Sequence, residues 1–139
     1  MPVKPLYVLD ANVIVSAVLL PSSVTRKAFD KACKQGGIVV SEEVVNELDD
    51  VLRRPRLNKY IHEEERIQFL MALLREAQLV RVTCTVTECR DPKDNKYLEL
   101  AIQTKATCII SGDQDLLELT PFRGISVLTP REFLDLQNH

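Results

Sequence analysis

The chain has 139 residues, 45% hydrophobic and 27% charged, with 18 Lys and Arg against 20 Asp and Glu and a formal net charge of -2. That balance excludes a strongly basic protein that coats nucleic acid and a disordered acidic tail, and it leaves any nucleic-acid contact to local patches. No apolar run approaches the roughly 20 residues of a membrane span, and the N-terminal run lacks a signal-peptide core. The four cysteines (Cys33, Cys84, Cys89, Cys108) and two histidines (His62, His139) form no zinc spacing. Cys33 and Cys108 fall in apolar stretches and read as reduced core thiols, which fits a cytoplasmic setting.

A strand is expected at Leu6–Leu9, running into Asp10. An apolar helix over 13–19 and an amphipathic helix over 24–34 follow, the second closed by Gly36-Gly37. A strand at 38–40 leads to Ser41, an N-cap with Glu42 and Glu43 in the first turn of a helix over 42–54, which Pro55 stops. A long helix over 63–77, a strand over 79–82 and a helix over 93–105 come next. Strands at Cys108–Ile110 and 125–128 precede a capping box, Thr129-Pro130-Arg131-Glu132, which opens a last short helix. Short apolar strands alternating with helices imply right-handed crossovers. The expected fold is α/β: one domain over 1–139, a three-layer α/β/α sandwich around a parallel sheet.

In such sheets ligands bind beyond the carboxyl ends of the strands. Asp10 ends the first strand, and Asp113 and Asp115 follow the fourth, although each could simply cap a helix. Asp94 is more telling. The helix after Pro92 buries a stripe of Tyr97, Leu98, Ala101 and Ile102, and at about 100° per residue Asp94 projects into the middle of it. Asp91 is the natural N-cap, so the inward carboxylate of Asp94 needs a cation or a metal. On the helix over 42–54, Glu47 and Asp49 flank the apolar stripe on opposite sides, and periodicity does not choose between them. Several carboxylates converging on one cleft require a counter-charge, and an all-oxygen set suits Mg²⁺ or Mn²⁺. A divalent ion there would lower the pKa of water and stabilise the leaving oxygen of a phosphodiester.

Four segments carry these acids: Val8-Leu9-Asp10-Ala11-Asn12, Ser41 to Leu48, Arg90-Asp91-Pro92-Lys93-Asp94-Asn95-Lys96-Tyr97, and Ile110-Ser111-Gly112-Asp113-Gln114-Asp115. In this order they resemble the four acidic motifs of PIN domains. More narrowly they resemble the bacterial and archaeal VapC-like branch, the toxin components of toxin–antitoxin pairs. The resemblance spans nearly the whole chain. It implies that Asp10, Glu47, Asp94 and Asp113 form a catalytic acidic quartet, and so favours Glu47 over Asp49. It further implies Asp10, Asp94, Asp113 and Asp115 as metal ligands, with Asn12 and Ser111 in support. The implied activity is Mg²⁺- or Mn²⁺-dependent endoribonuclease cleavage of single-stranded RNA, in a homodimer with a possible antitoxin encoded nearby.

Arg53, Arg54, Lys93 and Lys96 offer a path for RNA, although basic residues there also suit helix ends. Tyr60 and Tyr97 could stack on bases, but Tyr97 lies on an apolar stripe and reads as core. Dehalogenase-type phosphatases need a second Asp where Asn12 stands. Receiver domains need an Asp after the third strand, where the chain reads Val82-Thr83-Cys84. A non-catalytic RNA- or protein-binding module on the same fold is the remaining alternative.

Overall fold

Strand β1 (Leu6–Leu9) sits at the centre of the sheet, with Tyr7, Val8 and Leu9 all buried. Its residues are apolar in succession because helices cover both faces of a parallel sheet. The computed structural model describes residues 4–136 of the chain. After β1 come α1 (Ala11–Leu19), α2 (Val24–Gln35), β2 (Gly37–Val40) and α3 (Glu42–Leu52). A 3₁₀ turn at Pro55–Leu57 leads into α4 (Glu63–Glu76) and β3 (Gln78–Leu79). A second 3₁₀ turn, Pro92–Asp94, opens α5 (Asn95–Thr104), and β4 (Cys108–Ile110), α6 (Gln114–Leu117), β5 (Ser126–Leu128) and α7 (Pro130–Asp135) complete the order.

The sheet runs β3-β2-β1-β4-β5, and every strand pair is parallel. Leu9 pairs with Ile110, so β1 and β4 end level with each other. The chain leaves β1 toward β2 on one side and returns through β4 on the other. The carboxyl ends of β1 and β4 therefore flank the point where the strand order reverses, the usual ligand crevice of such sheets. The α/β/α sandwich expected from the sequence is the one observed.

Local chemistry sets the boundaries. Asp10, Ser23, Ser41 and Thr129 each cap a helix through a side-chain oxygen. Gly36 lets β2 enter the sheet beside β1, since a Cβ there would lie 2.0 Å from the Pro5 carbonyl oxygen. Lys31 of α2 donates to the carbonyls of Phe133 (2.7 Å) and Leu136 (2.9 Å), and Phe133 packs edge-on against Tyr7 at 5.1 Å between centroids. These contacts fasten α7 to α2 and to β1.

Three expectations need correction. The strand over 79–82 is only Gln78–Leu79, an exposed edge strand with Leu79 61% exposed, so its apolar residues do not signal burial on both faces. Cys33 is exposed, because α2 buries Ala28 and Ala32 and the next residue turns about 100° outward. Cys108 is buried as expected, and burial pushes its thiol up to about 12. The helix over 93–105 is the 3₁₀ turn followed by α5, and α6 has no counterpart in the expected elements.

Candidate metal centre and adjoining cleft

At the end of β1 the backbone N–H of Asp10 still bonds the Ile110 carbonyl at 3.0 Å, so the residue is held by the sheet before it caps α1. Its carboxylate is 3% exposed. One oxygen accepts from the Asn12 N–H at 3.0 Å and the other from the Ser111 hydroxyl at 2.8 Å. Ser111, wholly buried after β4, in turn accepts from the Asp113 N–H at 2.9 Å. Asp113 caps α6 by accepting from the Asp115 N–H at 3.0 Å. One serine thus ties the acid after β1 to the loop after β4. Burial raises the Asp10 carboxyl above its ordinary range; the bonds from Asn12 and Ser111 lower it, and the Glu47 and Asp113 charges raise it further.

Asp94 enters from the third side, at the end of the Pro92–Asp94 turn. It is 7% exposed, and its Oδ2 is buried without a hydrogen-bond partner. Burial first, then the contact with Asp113, pushes its carboxyl up to about 8. Asp91 caps the turn from the Lys93 N–H at 3.1 Å, as the sequence implies. It also does something the sequence reading missed. Asp91, Asp94 and Asp115 each bring a carboxylate oxygen to within 4.8 Å of the other two. The signal was present in the spacing: residues three apart on a 3₁₀ turn eclipse one another.

Glu47 reaches the same region from α3. Its Oε2 accepts from the Tyr97 hydroxyl at 3.0 Å and from the Lys96 ammonium at 2.5 Å. Asp49 points elsewhere, to Arg53 at 2.8 Å and to the buried guanidinium of Arg66 on α4. Tyr97 is wholly buried, as its stripe implied, which removes it as a base-stacking ring. Its hydroxyl nevertheless accepts from the Ala11 N–H at 3.0 Å, joining α1, α3 and α5 around the acids. Tyr60 is 61% exposed, with the Lys59 ammonium 5.2 Å from its ring centre.

Two clefts adjoin the acids. One of about 430 Å³ is lined by Asp10, Asn12, Thr25 and Asp113. The other, about 660 Å³, runs between α3 and α5 and has a mixed wall, with Arg54, Lys93 and Lys96 among the acids Glu43, Glu47, Asp50 and Glu99. Arg53 instead pairs with Asp49.

The donor set fits a hard divalent cation. It is all oxygen, it holds more buried carboxylate than its own hydrogen bonds satisfy, and the orphaned Asp94 Oδ2 lacks the partner that a metal would supply. The model of a family described as PIN domain matches residues 6–115. The chain belongs to the PIN domain family. Its four acidic motifs all lie within that match.

Relatives of this PIN domain include the uncharacterized protein MJ1680 of Methanocaldococcus jannaschii, 29% identical over 143 residues, a match covering 96% of this chain and 92% of the relative. Among solved structures, PAE2754 from Pyrobaculum aerophilum aligns with a TM-score of 0.61 at 13% identity, covering 94% of this chain and 88% of that one. A chain of VapBC2 from Rickettsia felis, in a structure bound to a DNA fragment from their promoter, aligns with a TM-score of 0.59 at 14% identity, covering 88% and 96%. At these identities the likeness is one of fold. No helix among the described residues is long and apolar enough to cross a membrane.

Proposed function

We propose that this PIN domain is a Mg²⁺- or Mn²⁺-dependent endoribonuclease that cleaves single-stranded RNA, and that it is the cytoplasmic, homodimeric toxin half of a toxin–antitoxin pair. The observation that carries the reading is the meeting of Asp10, Asp94 and Asp113 at one strand-order reversal, with Asp94 buried and its Oδ2 without a hydrogen-bond partner. A purely structural carboxylate would have found a donor.

Asp10, Asp94, Asp113 and Asp115 would hold the ion; of these Asp94 and Asp115 have Asp91 within 4.8 Å, while Asp10 and Asp113 stand outside that tight group. When bound, the ion supplies counter-charge, lowers the pKa of a water and stabilises the leaving oxygen. The chain does the rest. Ser111 and the Asn12 N–H fix both oxygens of Asp10, so that carboxylate is preorganised. Glu47, held by Tyr97, closes the acid group from α3 and completes the catalytic quartet. Asn12 lines the mouth beside Asp10, and Arg54, Lys93 and Lys96 line the cleft along which a strand's phosphates would run. The fold likeness to VapBC2 supports an antitoxin partner.

The test is turnover of an unstructured RNA in Mn²⁺ and in EDTA. Cleavage in Mn²⁺ alone, leaving 5′-phosphate and 3′-hydroxyl ends, is the expected result. Asp10→Asn keeps the side-chain volume and removes one ligand charge, and it should lose at least a hundredfold in rate while staying folded. Equal cleavage in EDTA would overturn the reading. RNA binding without turnover would install the non-catalytic module in its place.

A further inference from the structure

Among the described residues, Lys96 is the cation paired with this group of acids, and its position is constrained from three sides. Its ammonium donates to Glu47 Oε2 at 2.5 Å and to the Lys93 carbonyl at 2.5 Å, and it stands 5.5 Å from the centre of the Tyr97 ring. The side chain is only 16% exposed. Surface lysines are rarely held so closely, because fixing four rotatable bonds carries an entropic cost.

The anchor is itself anchored. The Tyr97 hydroxyl accepts from the Ala11 N–H, so its own proton is directed to Glu47 Oε2, the oxygen that also receives Lys96. A backbone donor next to Asp10 therefore orients a tyrosine, the tyrosine orients a carboxylate, and the carboxylate orients an ammonium. An ammonium has three N–H donors. Glu47 and the Lys93 carbonyl take two, and Lys96 lines the 660 Å³ cleft together with Glu47.

We propose that Lys96 is a substrate-contacting residue whose remaining donor binds a phosphate oxygen of the RNA strand beside the acidic centre, with Glu47 and Tyr97 as its positioning residues. This rests on the nuclease reading and deepens it. An anionic strand approaching at least four carboxylates needs a fixed positive charge besides the metal, and Lys96 is built into the wall where that charge is required.

The experiment compares wild type, Lys96→Gln and Lys96→Arg on a short single-stranded oligoribonucleotide in Mn²⁺, measuring kcat, KM, the salt dependence of KM, and Mn²⁺ affinity by calorimetry. Lys96→Gln should raise KM about tenfold with a smaller change in kcat. It should reduce the log–log salt slope by about 0.7, the loss of one phosphate contact on a single strand. It should leave Mn²⁺ binding as tight as in wild type or tighter, because a positive charge has left the acids. Lys96→Arg should recover most of the KM. Wild-type KM and salt slope in Lys96→Gln would overturn the proposal while the nuclease reading stands. So would a loss that Lys96→Arg does not rescue and that comes with weakened Mn²⁺ binding, because that is the signature of a helix-to-helix strut. If wild type itself shows no turnover in Mn²⁺, the nuclease reading falls and this inference falls with it. Should Lys96→Gln fail to fold, Lys96→Met keeps the apolar stem beside the Tyr97 ring, removes the donor, and should give the same KM and salt-slope effects.

Discussion

Asp94 concentrates the tension of the site in one carboxyl. Burial and the neighbouring Asp113 hold it at about 8 against an ordinary value of 3.8, so between those pH values the folded chain keeps a proton that the unfolded chain has released. Its contribution to stability is therefore fully present below 3.8 and is lost as pH rises through about 8. Asp10, also raised, acts in the same direction. The metal-free protein should melt at a higher temperature at pH 5 than at pH 9. Asp94→Asn should flatten that slope and raise the melting temperature at pH 8 by a few degrees, on the order of 1 kcal/mol, while weakening Mn²⁺ binding. Thermal scans across pH in EDTA decide it, and a slope that survives in Asp94→Asn would show that the pH dependence lies elsewhere. Tyr97→Phe probes the other buried polar contact. It leaves the Ala11 N–H without a partner and Glu47 Oε2 with Lys96 alone, and should cost about 1–3 kcal/mol by denaturant titration, with the buried ring otherwise unchanged.

Helices and strands differ in how much of their role the sequence declares. β1 and β4 are readable because a doubly covered parallel strand must be apolar throughout, and the first acid after each one then falls at the crevice. α3 is not readable alone, since Glu47 and Asp49 stand symmetrically about its stripe. The choice is made by other elements, α5 bringing Tyr97 and Lys96 to Glu47 and α4 bringing Arg66 to Asp49. Asp91 was hidden for a different reason, because its evident work as an N-cap masks the three-residue spacing that brings it beside Asp94. β3 misleads because edge strands and buried strands share apolar composition. α4 carries the opposite message, with more apolar surface than its own packing uses. Leu73 is buried, while Ile67, Met71 and Leu74, spaced four and three apart on one face, are 44%, 57% and 42% exposed. This face is the expected homodimer contact. Met71→Glu should shift the protein toward monomer at micromolar concentration by sedimentation equilibrium, raising the dissociation constant at least tenfold. A wild-type protein that stays strictly monomeric removes the contact.

On the scale of the whole molecule, the acids come from β1, the turn before α5, and the loop and helix after β4, elements joined only through the fold. A cation bound among them therefore binds the native chain and not the unfolded one, and stabilises it by mass action. At a hundredfold excess over its dissociation constant the gain is about 2.7 kcal/mol, or roughly 8–10 °C for a chain of this length. Two variants separate this from a general salt effect. Asp10→Asn removes a ligand charge, so the Mn²⁺-induced rise should shrink to a small fraction of the wild-type value. Asp49→Asn lies on the opposite flank of α3 from Glu47 and faces Arg66, whose buried guanidinium would lose its charged partner. It should lower the melting temperature in EDTA, by about 2 kcal/mol given that Asp49 is itself partly solvated, yet keep the full Mn²⁺-induced rise and nearly full cleavage. Matched calorimetric scans of the three proteins, with and without millimolar Mn²⁺, carry the decision. Equal rises in all three, or none in wild type, would mean that the carboxylates gathered at the ends of β1 and β4 do not share a metal.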